Sequence, residues 1–459
     1  MSPWQACDIR GPYPSEVSPT LLRSIGAHMA SLLPADPRVL LAGDARISTP
    51  ALKEALADGL VDAGAKVLDA GQIPTPVASF AHQQLATDAA LIVTASHNPA
   101  SHNGLKVIVK GLPPAEEDWS RLRLSLETEA RRGSSGTFET VDVLPAYVEW
   151  IDRRWQHLRE LKRARVVLDA GNGAWSELGP AAFERLGFSI RRLFCEIDGR
   201  YPNRSPDCAR AANLGVLAQT VRETGAELGI AWDGDGDRVA FADRLGRIVS
   251  ADQVSMILAG YLLRNRPNEK VVYDLKLSDA LRRMVLAASG IPLVERSGHA
   301  FLRRRMVGEG ALFGCEVSGH YFYRELEGRD DGLFTAFLMA EIVAREGALD
   351  AIVAALPPVY ITPDLRVPSN SVAYEVIVER LRAQFAPEQE THIDGVRLEM
   401  PDGSVLVRRS VTEPATTLRI EGASAASLRR LVEACAEAIP EMPPHLLDCI
   451  DSSRQELCR

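Results

Sequence analysis

Apolar positions along the chain fall into two alternating rhythms. Ser18-Pro19 reads as an N-cap followed by proline at the first helical position, and Leu21, Leu22, Ile25, Met29 and Leu32 then recur at helical spacing. Val39 to Ala42 is a short apolar run that fits a buried strand, and Thr49-Pro50 opens a second helix with Leu52, Leu56 and Leu60 on one side. A strand from Lys66 to Asp69, a helix near Val77 to Leu85 and a strand from Ala89 to Val93 follow. Such β/α alternation predicts a doubly wound, parallel or mixed sheet. It restarts twice, first after a crossover helix from about Leu144 to Leu161, with a strand at Val166 and another before Asp233. Near Ala251 it begins again, with strands Val271 to Asp274 and Pro292 to Glu295 around a helix from Ser278 to Ala288. Past Pro357-Pro358 and Pro363 the rhythm changes to that of a smaller α+β unit. The predicted organisation is three α/β domains, residues 1–148, 149–250 and 251–358, followed by an α+β domain over 359–459.

Two stretches carry most of the candidate chemistry. In Leu91-Ile-Val-Thr-Ala-Ser-His-Asn-Pro-Ala100 an apolar strand stops at turn-forming residues, because Asn98-Pro99 cannot continue it. Ser96 is thereby presented at a strand end, where open α/β sheets bind ligands, with His97 beside it as donor or charge. A Ser-His dipeptide is in itself weak evidence of catalysis, since neighbouring side chains on an extended chain point apart. The second stretch, Gly229-Ile-Ala-Trp-Asp-Gly-Asp-Gly-Asp-Arg238, alternates three carboxylates with glycines directly after a strand. Asp233, Asp235 and Asp237 would raise one another's pKa values unless a cation lay between them, and hard oxygen ligands point to Mg²⁺ or Ca²⁺. An EF-hand is excluded, because its sixth and twelfth positions would be Arg238 and Arg244; a solvated acidic turn is the remaining alternative. Val166 to Gly173 invites a dinucleotide-binding reading, but the third glycine is absent, with Ser176 following Gly171 and Gly173.

Composition narrows the classes. The chain has 459 residues, 46% apolar and 25% charged, enough for several packed domains. A net charge of −9 argues against a general nucleic-acid binder or polybasic membrane contact, so an anionic ligand needs a local basic pocket. No membrane span or signal peptide is indicated, and seven scattered cysteines without a C-x-x-C pair suit reduced thiols in the cytoplasm. Small molecules rather than nucleic acid or membrane are the expected partners, with a monomer or weak dimer as the assembly.

Thr94-Ala-Ser-His-Asn-Pro99 followed by Asn103-Gly-Leu-Lys106 resembles the phosphoserine loop of the α-D-phosphohexomutase family. Asp233 to Arg238 resembles its D-G-D-x-D-R metal loop, Gly314-Cys-Glu-Val-Ser-Gly-His320 its sugar loop, and Arg408-Arg-Ser-Val-Thr-Glu-Pro414 its phosphate loop. The resemblance implies that Ser96 carries the phosphoryl group and, with Asp233, Asp235 and Asp237, holds one Mg²⁺, while Arg238 sits near the transferring group. It implies a general acid/base role for His320 and Lys106, and sugar contacts for Glu316 and Ser318. Substrate contacts would come from Arg10, Lys276 and His299, and phosphate contacts from Arg408, Ser410 and Thr412. The expected reaction interconverts hexose 1- and 6-phosphates, mannose or glucose, through a hexose 1,6-bisphosphate, with glucose 1,6-bisphosphate as activator. The sugar loop carries Val317, where glucosamine-type mutases more usually have glutamine. A phosphoglucosamine or N-acetylglucosamine mutase, a Mg²⁺-dependent phosphatase and an inactive phosphosugar sensor are the alternatives.

Read without the resemblance, Cys7 to Gly11 is a surface turn, Arg329-Asp-Asp-Gly332 is a cap for the helix Leu333 to Ala344, and Gly43 to Arg46 is structural, with Arg46 a candidate support for the Ser96 loop. Arg409 and Val411 depart from the family's phosphate loop, and the tail from Met442 matches no motif.

Overall fold

The computed structural model describes residues 3–31, 33–129, 136–161, 164–410 and 414–442. Thr412, Val411 and Glu413 and the tail beyond Met442 lie outside the described residues.

The predicted alternation builds three mixed sheets and one antiparallel sheet. In the first, the parallel strands Ala89–Val93, Arg38–Gly43, Lys66–Gln72 and Thr137–Thr140 are extended by two antiparallel strands, His102–Val109 and then Ile9–Pro12. All five residues of Ala89–Val93 are buried, which accounts for a run without polar alternation. The Cys7 to Gly11 segment is therefore not a turn: Ile9–Pro12 pairs with His102–Val109 and places Arg10 opposite Gly104. The second sheet orders Ile248–Val249, Val239–Asp243, Leu228–Trp232, Arg165–Asp169 and Ser189–Leu193. The third orders Ile291–Glu295, Lys270–Asp274, Phe313–Cys315, Tyr321–Tyr323 and Arg329–Asp330.

These three units share one apolar core. Tyr147, Trp150 and Trp155, on the helix Leu144–Trp155, meet Phe80 of the first unit and Phe334 of the third. Tyr147 also packs on Trp175 of the second. Polar ties reinforce it: Arg303 donates to the Gly111 carbonyl at 2.7 Å and Arg329 to that of Ser79 at 2.9 Å. The fourth sheet, Leu365–Pro368, Ala415–Gly422, Gly403–Arg409, Val396–Met400 and Gln389–Thr391, is antiparallel throughout and packs its helices into a core of its own. No described helix is long and apolar enough to cross a membrane. The five cysteines among the described residues are unpaired.

Candidate active site

Ser96 lies just beyond the buried strand Ala89–Val93, fully buried and in the left-handed region at φ 51°. A serine pays for that conformation and holds it only where its surroundings dictate it. Here they do. Thr94 accepts from the Ser96 amide at 2.8 Å and donates to Asp44 at 2.7 Å. Arg46, with no exposed surface, pairs with Asp44 at 3.0 Å and spreads its guanidinium over the carbonyls of Ser96, Asn98, Pro99 and His102 at 2.6–3.0 Å. The candidate support is thus the clamp of the Ser96 loop.

The aspartate motif is the turn between the antiparallel strands Leu228–Trp232 and Val239–Asp243. Its glycines have separate reasons. A side chain on Gly234 would come within 2.6 Å of the Ser96 carbonyl, so the two loops meet backbone to backbone. Gly236, at φ 84°, lies against Trp175, whose indole donates to its carbonyl at 2.7 Å. Ser96 Oγ donates to Asp233 Oδ2 at 2.8 Å. Lys106 projects from the strand His102–Val109 onto Asp235 at 2.7 Å and onto Asp237, and Thr75 also donates to Asp235.

Burial and its two neighbouring aspartates push the Asp233 carboxyl well above the usual range. Burial disfavours charge on Asp235 too, but Lys106 and Thr75 outweigh it and hold that carboxylate ionised. Ligand oxygens of all three aspartates lie within 4.8 Å of one another, and Oδ1 of Asp235 and of Asp237 are buried without a hydrogen-bond partner. Oxygen-only donors at this spacing, two of them orphaned, fit a hard divalent cation.

Cationic groups ring this centre. Arg238 donates from Nε to His320 Nε2 at 2.8 Å, and the other ring nitrogen of His320 donates to Asp330 at 2.6 Å. Burial, with Arg238 close by, pushes the His320 pKa well below its ordinary value and keeps the ring neutral. His97 Nδ1 stands 3.4 Å from both Ser96 Oγ and Arg10, and burial and the two arginines likewise hold it neutral. Arg10 is aligned by Asp8 at 2.6 Å, and His299 approaches the same carboxylate at 3.6 Å. Glu316 is buried with one oxygen unpartnered, and Ser318 Oγ is likewise without a partner. Burial, and Asp274 nearby, push the Glu316 carboxyl upward. Asp274 gathers the third unit's loops, accepting from the Lys276 amide at 3.0 Å, from Ser297 at 2.5 Å and from the Val317 amide at 3.3 Å.

Ser96, His97, Lys106, Arg238, His320, the three aspartates, Arg10 and His299 therefore form one connected cluster. Lys276 pairs with Asp364 at 2.6 Å, and Lys276, Arg419 and Arg408 together hold that carboxyl below its usual range against burial. Arg408 pairs with Asp394, Arg409 with Glu375, and the Ser410 amide donates to the Ala415 carbonyl at 2.8 Å. The reading of both Asp330 and Asp331 as helix caps is corrected. Asp331 alone caps Gly332–Glu346, accepting from the Leu333 and Phe334 amides, whereas Asp330 is the partner of His320. Two adjacent acids before a helix that needs one N-cap were the available signal. Asp8 and Asp364 were also overlooked, and Asp364 has no local signal at all.

Four family models cover nearly the whole chain. They are those of phosphoglucomutase/phosphomannomutase alpha/beta/alpha domains I, II and III, over residues 4–132, 145–246 and 250–360, and of the C-terminal domain over 373–438. A phosphomannomutase/phosphoglucomutase of Pseudomonas putida is 35% identical over 96% of both chains. A phosphoglucomutase of Neisseria gonorrhoeae is 33% identical over 89% of this chain and 90% of its own. A solved structure of a phosphoglucomutase/phosphomannomutase family protein from Burkholderia thailandensis superimposes with a TM-score of 0.86 at 34% identity, over 96% of this chain and 98% of that one.

Proposed function

The chain belongs to the phosphoglucomutase/phosphomannomutase family, and on that footing we propose that it is a phosphohexomutase interconverting the 1- and 6-phosphates of mannose, glucose or both. The observation that carries this reading is the meeting of Ser96 Oγ with Asp233 at 2.8 Å, on a loop clamped in a left-handed turn beside three converging carboxylates.

The active form carries a phosphoryl group on Ser96. The sugar's free hydroxyl attacks that phosphorus, the bond to Ser96 Oγ breaks, and a hexose 1,6-bisphosphate results. After the bisphosphate turns over, Ser96 Oγ takes the other phosphoryl group and the isomeric monophosphate leaves. Glucose 1,6-bisphosphate primes the serine. Asp233, Asp235 and Asp237, with the phosphoryl oxygen, would hold Mg²⁺, which supplies Lewis-acid neutralisation of charge on the transferring group. Lys106 stays protonated because Asp235 and Asp237 outweigh burial, and it shares the acid/base role with His320. Neutral His320 takes the base role once Arg238 turns from its Nε2 to the phosphoryl oxygens. Glu316 and Ser318, with acceptor and hydroxyl unsatisfied, read the sugar hydroxyls. Arg10, His97 and His299 face the substrate from the first and third units, and Lys276, Arg408, Ser410 and Thr412 take its remote phosphate. The protein works on small phosphosugars in the cytoplasm, as a monomer or weak dimer.

Phosphorus NMR of the products tests this. Mannose, glucose, glucosamine and N-acetylglucosamine 1-phosphates are supplied with Mg²⁺ and a trace of glucose 1,6-bisphosphate. Accumulation of the 6-phosphate of mannose or glucose, abolished in Ser96→Ala, is expected; release of inorganic phosphate alone would replace the mutase with a phosphatase.

A further inference from the structure

The fourth unit joins the others through charged groups, since the core of the first three does not continue into it. The central group of this joint is Asp364, on the connector immediately before the strand Leu365–Pro368. Its Oδ2 takes Lys276 Nζ of the third unit at 2.6 Å, and its Oδ1 lies 3.8 Å from Arg419 of the fourth. Arg419 also reaches back to Asp252 of the third unit at 3.4 Å. Arg408 contributes to the same field at Asp364. The Nε atoms of Arg408 and Arg419 are buried and have no hydrogen-bond partner. Lys276 and Arg419 thus meet on one carboxylate, Arg408, itself paired with Asp394, adds to the field there, and both arginines keep a buried Nε without an acceptor. Buried guanidinium donors are ordinarily satisfied, so this arrangement fits a site that takes a further anion.

We propose that Asp364 is an internal counter-ion that competes with the substrate's remote phosphate for Lys276, and so sets how tightly the enzyme holds its phosphosugars. This rests on the mutase reading above. A dianionic phosphate entering beside Arg408 is attracted by Lys276 and repelled by Asp364, and the two effects nearly cancel while the pair stays closed. Full affinity requires Lys276 to leave Asp364 for the phosphate. Because Asp364 sits on the connector, that exchange also releases one of the ties between the third and fourth units. Among the described residues, ties that stay are Arg419 to Asp252 at 3.4 Å and the carboxylate of Glu421, which accepts from Ser278 Oγ at 2.5 Å and from the Asp279 amide at 3.1 Å. The counter-ion weakens binding by design of its position: a bisphosphate held too tightly could neither turn over nor leave.

Calorimetric titration with glucose 1-phosphate, and separately with inorganic phosphate, tests the assignment on the full-length protein. A unit charge about 6 Å from a bound dianion changes its binding constant about tenfold even at the dielectric of bulk water, so tenfold is the least effect expected at this partly buried site. In Asp364→Asn both ligands are expected to bind at least about tenfold more tightly, with KM and kcat for the mutase reaction falling together as release slows. Asp364→Glu should restore wild-type constants, and adding Lys276→Ala to Asp364→Asn should abolish the gain. Asp364→Ser serves as a second neutral variant if the amide fails to fold. Unchanged or weaker phosphate binding in the neutral variant would overturn the proposal and leave Asp364 a purely structural tie. If the wild type forms no 6-phosphate, the mutase reading fails by itself, while the phosphate titrations still decide whether Asp364 opposes anions.

Discussion

Arg46→Ala removes the clamp of the Ser96 loop, and its cost can be worked from the contacts. Arg46 donates to four carbonyls of one loop, those of Ser96, Asn98, Pro99 and His102, and pairs with buried Asp44. Hydrogen bonds from a charged group contribute roughly 1.5–3 kcal/mol each, so four would sum to about 6 kcal/mol or more. Water entering the vacated space re-solvates part of the loop, and truncating one partner of a buried ion pair typically costs about 3–5 kcal/mol, which is the expected loss of stability. Ser96 at φ 51° stores a further penalty of about 1–3 kcal/mol that the clamp maintains. Released from it, the serine populates ordinary backbone conformations, and kcat should fall about 10- to 100-fold at 1.36 kcal/mol per decade. Native-state hydrogen exchange at the Asn98 and His102 amides, which close turns onto the carbonyls of Ala95 and Pro99, reports the loop opening directly. Arg46→Lys, which keeps the charge opposite Asp44 but has fewer donors, should fall between. If Arg46→Ala loses less than about 1 kcal/mol of stability and keeps kcat within about twofold, the loop is not held by this residue and the reasoning fails.

Three further outcomes follow from the same geometry. Asp330→Asn should lower kcat by up to about a hundredfold with KM little changed, because His320 exchanges a carboxylate that fixes the tautomer with Nε2 free for an amide that can present a donor instead; an unchanged kcat would make Asp330 incidental. Mg²⁺ should raise the melting temperature of the wild type by linkage, worth about 2.7 kcal/mol at a hundred times Kd, and Asp235→Asn should abolish most of that shift; an equal shift in the variant would place the cation elsewhere. His82, on the helix Thr75–Gln84, is pushed down to about 4 by burial and by Arg303 and Arg329. The unfolded chain takes up this proton first, near pH 6.5, so the stability present above that pH is lost as pH falls from 6.5 towards 4, by up to about 1.4 kcal/mol per unit. Unfolding free energies of wild type and His82→Gln measured across that window should diverge by this slope, and parallel curves would remove His82 from the account.

What the sequence disclosed and what it withheld divide along a physical line. Buried parallel strands and amphipathic helices advertise themselves by spacing, so Ala89–Val93 and the helix Thr49–Asp62 fall where the apolar pattern puts them. Edge strands do not. Ile9–Pro12 is four residues, one of them glycine and another proline, and it is a strand only because His102–Val109 lies beside it. The site follows the same rule. The three aspartates were legible because like charges crowded into five residues demand an external explanation, and the loop around Ser96 because a strand that ends at Asn-Pro must present something. Residues that act through others were not: Asp330 looked like a cap, Asp8 like a turn, and Asp364 like one acid among many. Asp330 and Asp364 owe their significance to partners 10 and 88 positions away, His320 and Lys276, and Asp8, though it aligns its neighbour Arg10, also meets His299 from the third unit, which no local pattern encodes. The groups proposed to meet a phosphosugar are thus written in short motifs, while the carboxylates paired with those groups become visible only when three separately wound sheets and a fourth, differently built one converge. That is the arrangement in which a single acid on a connector can govern how firmly a phosphate is held.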